Sequence, residues 1–482
     1  MTKRVFFIQA MAVVVCGVML APMRAAGPAS VAYAIRGARI HPVSGAAVDN
    51  GVVVIRDGII ENVGAGVAVP ADAIVIDGTG MHVYPGFIDM ANEAAFGSAG
   101  GATAGGRAGG GGGQGGATTT TFATLEEAER AKREAILHPH ILAADNLNPT
   151  APALAQLASA GVTTVLAVPP DGIFKGQSAL VNVSIPPDDP QVSTIADYRR
   201  GLAVIKSPVA LHVDMGARGG GAGYPGSLLG TIAFTQQAFH DAQWQRDATA
   251  HYLRTGAKGP RPIVEPALDS LRPALARQMP VAIDANLGRE IDRALALAAE
   301  FKLDPIVVGA SNAQERIAEL AQAKARVILS LNFPGGRGGG AGAGGGGGGG
   351  RGGGGGPSLS QLQAQANAPK VPAALAQANV PFAFTSGGAT AADFVRNAGR
   401  VVKEGGLPAD AALRALTLEA ARMAGAADRV GSIERGKIAN LVVTQGDVFD
   451  GGAVRHVFID GRPIEIETAA SGAGRGGRGG GR

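Results

Sequence analysis

The sequence predicts an α/β chain: a TIM-type (β/α)8 barrel with a small composite β-sandwich built from both chain ends. Three observations predict it. Segments of β type with Asp-Gly turns stand near both ends, over 33–83 and 426–467. Between them, over 84–425, short apolar or β-branched runs alternate with helical stretches. The 482 residues give room for a large barrel and a smaller second domain.

In the N-terminal β part, Ala34 to Ile40 is a short extended run. Val52-Val53-Val54-Ile55-Arg56 then meets Asp57-Gly58 and Ile59-Ile60, the pattern of a tight hairpin. The C-terminal part repeats it, with Asn440-Leu441-Val442-Val443 as a strand and Asp460-Gly461 as a turn. In the middle, strands are expected at Val162-Thr163-Thr164-Val165-Leu166, Val209 to Val213, Val281-Ala282-Ile283, Ile306-Val307-Val308, Val327-Ile328-Leu329 and Phe382-Ala383-Phe384. Helices are expected near 122–137, 228–252, 288–302, 312–324, 358–378 and 390–404, with Ser227 capping the second. In such barrels the chemistry sits where strands end and loops begin.

The N-terminus reads as a secretory signal over 1–32: Lys3 and Arg4, an apolar run over 5–20, then small residues including Ala32-Tyr33-Ala34. The expected location is periplasmic or extracellular, with no membrane span after cleavage. Thr2-Lys3-Arg4-Val5-Phe6-Phe7 loosely echoes a twin-arginine signal with one arginine missing. Cys16 is the one cysteine and lies inside the signal. The mature chain then forms no disulfide, and any metal would need His, Asp, Glu or Lys ligands.

Glycine is the compositional outlier, at 75 residues. Glycine-rich inserts fall at 97–117, 216–223 and 335–356, and a Gly/Arg tail occupies 468–482. Each insert follows an expected strand, so all three should emerge at the barrel mouth. They read as tolerated low-complexity segments, a mobile cationic cover, or an association surface. Net charge is +4, but seven arginines lie in these segments, and without them 36 basic side chains face 39 acidic ones. The body is near neutral, and no aromatic residues interleave the Arg-Gly-Gly repeats, so nucleic acid is not an expected partner.

These parts resemble the amidohydrolase superfamily, especially its imidazolonepropionase-like branch, over 33–465. Pro85-Gly86-Phe87-Ile88-Asp89 is similar to the end of that family's first barrel strand. Gly161-Val162-Thr163-Thr164 and Gly176-Gln177-Ser178-Ala179 are similar to its second and third strands. The sharpest similarity is Ala411, Leu413, Ala415, Leu416 and Thr417 leading into the run from Gly431 to Val443, the return from barrel to sandwich.

The resemblance implies metal-dependent hydrolysis of non-peptide C–N bonds in amides and cyclic amides. It implies one or two divalent metals, commonly zinc, held by a His-x-His on strand one, often a carboxylated lysine on strand four, histidines on strands five and six and an aspartate on strand eight. Alternate strand residues point the same way, which lets His-x-His aim two nitrogens inward. The metal activates a water, and the aspartate moves its proton. Here those positions hold Ala91 and Glu93, then Asp284, Gly309 and Gly387, and no strand-four lysine is identifiable. A family-type metal is therefore not expected.

Glu93, His212, Asp214 and Asp284 are the candidate catalytic residues, a polar cluster for a rebuilt metal site or for metal-free acid–base work. Glu93, His212, Asp284, Asn286, Asn312 and Ser386 are the candidate ligand pocket. His138-Pro139-His140 is a His-x-His in a turn. His41, His82, His240, His251 and His456 read as structural, and Tyr224-Pro225-Gly226-Ser227 as a turn and cap. The expected function is an exported amidohydrolase-like protein whose hydrolysis is lost or altered, a pseudo-enzyme. It would bind a small amide-like molecule or accompany an active amidohydrolase paralogue. A working C–N hydrolase with a rearranged site, and a surface association protein acting through its Gly-rich loops, are the alternatives.

Overall fold

A computed structural model describes residues 31–96, 123–183, 204–216, 225–333, 359–464 and 466. Most of the expected signal, most of the glycine-rich inserts and the Gly/Arg tail lie outside the described residues. Ala32 is buried and pairs with Ala73, so the last residue assigned to the signal is part of the folded sheet.

The chain begins with β1 (Ala32–Ile40), β2 (Val48–Arg56), β3 (Ile59–Ala65), β4 (Ala73–Asp77) and β5 (Met81–Pro85). β1, β2 and β3 run antiparallel in turn. Asp57 and Gly58, at φ 52° and 81°, make the turn whose twist suits a hairpin. The central strands are β6 (Phe87–Asn92), β7 (Val162–Ala167), β8 (Phe174–Gln177), β9 (Ala179–Asn182), β10 (Val204–Lys206), β11 (Leu211–Asp214), β12 (Val281–Ala285), β13 (Pro305–Gly309), β14 (Arg326–Ser330) and β15 (Phe382–Thr385). The chain returns through β16 (Leu441–Gln445), β17 (Ala453–Ile459) and β18 (Arg462–Ile464).

The two chain ends share one eight-stranded sheet, because β16 runs antiparallel beside β5 from Leu441↔Pro85 to Gln445↔Met81. Its core includes Ile35, Ile40, Val53, Ile60, Val83, Leu441 and Phe458. Asp460-Gly461 repeats the left-handed turn between β17 and β18.

The middle forms two further sheets, ordered β15-β14-β13-β12-β11-β8 and β10-β9-β7-β6. β11 to β15 are parallel, and so are β6 and β7. The expectation of eight parallel strands fails at β8 and β9, which run antiparallel to β11 and β7. The reason is chain length. A parallel return needs a crossover of a dozen or more residues, and only residues 168–173 join β7 to β8. No closed sheet forms among the described residues. β15 meets β6 through side chains instead: Thr385 Oγ1 donates to Asp89 Oδ1 (2.9 Å) and to Ala91 O (3.0 Å).

Alternation along the strands separates two apolar layers. Ile88, Met90, Leu166, Ala282, Ile306, Ile328 and Ala383 pack with one another on one side. Leu211, Val213, Ile283, Val307, Val327 and Phe384 face the helices. Ser227 caps helix Leu228–Arg254 by accepting from Gly230 N at 3.0 Å. The helix expected over 358–378 is broken into Leu359–Asn367 and Val371–Gln377, with Pro369 and Pro372 at the break. No helix of the described residues is long and apolar enough to cross a membrane.

Candidate functional site at the strand ends

β11 and β12 are in register, with His212 opposite Ala282 and Asp214 opposite Asp284. Leu211 and Val213 face the helices, so His212 and Asp214 share the other face. The two aspartates form one level at the strand ends, and His212 lies one level deeper. β8 flanks β11 on its other side, with a bulge between the pairs His212↔Gly176 and Val213↔Phe174. Lys175 sits in that bulge. Its Nζ lies 2.9 Å from Asp284 Oδ2, with side-chain exposures of 13% and 27%.

The electrostatics follow from this placement. Asp284 holds the Lys175 ammonium well above the usual lysine range, against burial, with Asp214 and Glu93 adding to the effect. Glu93 is an exposed residue, yet burial of its carboxyl pushes that group up. Lys175 pulls the Glu93 carboxyl down, and Asp284, Asp171 and Asp214 push it up. His212 is only 2% exposed, and burial, with Lys175 adding, holds it down to about 3, so the imidazole is neutral. Its Nε2 is buried, with no hydrogen-bond partner among the described residues. Asp214 Oδ1 accepts from Gly216 N at 2.8 Å.

Glu93, His212, Asp214 and Asp284 therefore converge around Lys175. Sequence reasoning passed over Lys175, and the available signal was a charged residue between Phe174 and Gly176 in an otherwise uncharged strand. The other pocket candidates make different contacts. Asn286 accepts from Ser311 Oγ at 3.2 Å, and Asn312 Nδ2 donates to Glu315 Oε1 at 3.4 Å. Ser386 belongs with Asp89: its backbone N–H donates to Asp89 Oδ1 at 2.8 Å. Asn92 Nδ2 donates to Asp89 Oδ2 at 2.6 Å; burial pushes this carboxyl up, and the hydrogen bonds from Asn92, Ser386 and Thr385 only partly oppose it. In the pair His138 and His140, both ring nitrogens of His138 face backbone carbonyls, those of Asp171 (3.4 Å) and Glu134 (2.6 Å).

The metal implied by the family resemblance does not fit these residues. Among the described residues, no group of three or more His, Cys, Asp or Glu could hold a metal ion. A Cβ built at Gly309 would fall on Asn286 Oδ1, and one at Gly387 on Ser330 Oγ. Strict alternation also fails on β6. Its pairing with β7 shifts between Met90 and Asn92, and Ala91 takes φ 101°, a conformation that side-chain-bearing residues rarely adopt. An ammonium already stands among the carboxylates and would repel a divalent cation.

A second titratable group lies on the eight-stranded sheet. His41 Nε2 and His82 Nδ1 are 3.1 Å apart, His82 Nδ1 and Tyr84 OH 3.1 Å, and Tyr84 OH donates to Asp447 Oδ2 at 3.3 Å. The His41 and Tyr84 rings stack with centroids 4.5 Å apart. Burial, then His82 and Arg39, hold His41 down to about 4, against Asp447 and Asp410. Burial and Asp447 push the Tyr84 hydroxyl up.

The amidohydrolase family model matches residues 358–464, less than half of the chain. No curated protein matches the chain in sequence. An amidohydrolase from Thermotoga maritima MSB8 has a TM-score of 0.67 at 21% identity, covering 90% of this chain and 100% of its own. A second amidohydrolase has a TM-score of 0.50 at 15% identity, covering 91% and 100%. An adenosine deaminase from Xanthomonas campestris, solved with bound zinc, has a TM-score of 0.46 at 18% identity, covering 89% and 92%. The first two likenesses carry the fold: the chain has the α/β architecture of amidohydrolase structures.

Proposed function

We propose that the chain is an exported amidohydrolase-type protein, of the imidazolonepropionase-like branch, whose metal-dependent hydrolysis is lost or altered. It binds a small amide-like molecule at the strand ends, on its own or as companion to an active paralogue. The observation that carries this reading is that Gly309 and Gly387, aligned with a histidine and an aspartate of the resembled family, carry no side chain and take φ 92° and 57°, which side-chain-bearing residues rarely adopt. The test is an assay of amides, cyclic amides and dipeptides with zinc or manganese added and withheld. The reading expects no turnover that metal stimulates. Turnover that rises with either metal would contradict it.

A second reading is a metal-free C–N hydrolase. The raised Glu93 carboxyl and the neutral imidazole of His212, both within the field of Lys175, favour it. A carboxyl with raised proton affinity can serve as a general acid or base, while the His212 ring stays neutral beside it. It expects turnover in the same assay that EDTA leaves unchanged and Glu93→Gln removes.

A further inference from the structure

The charge at the strand ends restricts what can bind there. Among the described residues, Asp284 and Glu93 act on the Lys175 ammonium, and Asp171 acts in turn on Glu93. An excess of carboxylates in a partly dry site repels an anion. An ammonium has three N–H donors, and the Lys175 ammonium is engaged by a single side chain among the described residues, Asp284. Donors on Nζ thus remain for a further acceptor, and the Lys175 side chain keeps 13% of its surface exposed. A neutral carbonyl oxygen accepts such donors without adding charge. Glu93, exposed as a residue, acts on the same ammonium. It is placed to accept an N–H. One strand level deeper than Asp214, Nε2 of His212 is a buried polar atom without a hydrogen-bond partner among the described residues. Its neutral ring leaves Lys175 as the positive centre.

We propose that the Lys175 ammonium, held among the carboxylates at the strand ends, donates to the carbonyl oxygen of a neutral amide, whose N–H faces Glu93. The inference rests on the ligand-binding reading above and names the group that binds.

The test is calorimetric titration of the full chain with acetamide and N-acetylglycinamide, with acetate and methylamine as charged controls, each with and without EDTA. The neutral amides bind, acetate does not, and EDTA changes nothing. Lys175→Met weakens amide binding by about tenfold or more, the loss of roughly one charge-assisted hydrogen bond. Lys175→Arg retains part of it. The charge-balanced double variant Lys175→Met with Asp284→Asn covers the case in which the single variant does not fold, and it too loses amide binding. Amide binding that survives in the Lys175→Met variants, or that EDTA abolishes, overturns the role of Lys175 while leaving the ligand-binding reading standing. Preferential binding of acetate or methylamine overturns the ligand class. Binding of none of these compounds overturns both.

Discussion

Lys175 reaches from β8 across β11 to Asp284 on β12, closing to 2.9 Å. The contact joins strands that are not neighbours, so it fixes the β8 bulge against the parallel sheet. It also neutralises one of two aspartates that register places side by side.

Removing one member of this pair strands the other. Lys175→Met is expected to cost about 2 kcal/mol, below the value for a fully buried pair because both side chains keep some exposure. Asp284→Asn added to it should restore more than half. Urea denaturation of the two single variants and the double variant measures the coupling. Additive losses would mean that the contact contributes nothing.

The histidine pair on the eight-stranded sheet predicts acid sensitivity. His41 is held down to about 4 in the folded chain, against 6.5 when unfolded. The folded state thus favours the neutral ring, and its contribution is complete above pH 6.5. That contribution is lost as pH falls from 6.5 through about 4, because the unfolded chain takes up the proton first. Thermal melts from pH 7.5 to 4 should show a falling midpoint, and His41→Gln should flatten the fall. His212, held down to about 3, keeps part of the slope in that variant. Equal slopes in the two proteins would rule out His41 as the source.

Gly387 combines φ 57° with a Cβ position that overlaps Ser330 Oγ. Gly387→Ala is expected to destabilise by about 1–3 kcal/mol, since the backbone is strained and a neighbour must move. The pair Gly309→His with Gly387→Asp restores two residue types of the resembled metal site. It should lower the melting midpoint without creating metal binding, read by melts with and without zinc. A zinc-dependent rise would show that the space is adaptable.

Local signals were legible where local chemistry decides the structure. Asp57-Gly58 and Asp460-Gly461 name their turns, Ser227 names its cap, and the apolar runs name β11 to β15. The reversal of β8 and β9 was less visible, because it depends on how short the link after β7 is rather than on either strand's composition. The shared sheet was legible from the matching style of its two ends. At the site, the carboxylates could be placed on strand ends by alternation, but the bulge on β6 breaks that count at Ala91. Lys175 and Asp284 lie far apart in sequence, and only the packing of β8 against β11 brings them together.

On this reading a protein ammonium, not a metal, supplies the positive charge at the strand ends. Elemental analysis of the purified protein, after exposure to zinc and manganese and removal of the free ions, tests it most directly, with Glu93→Ala and Asp284→Ala combined as the comparison. The account predicts metal far below one ion per chain in both proteins. About one ion per chain, absent from the double variant, would contradict it.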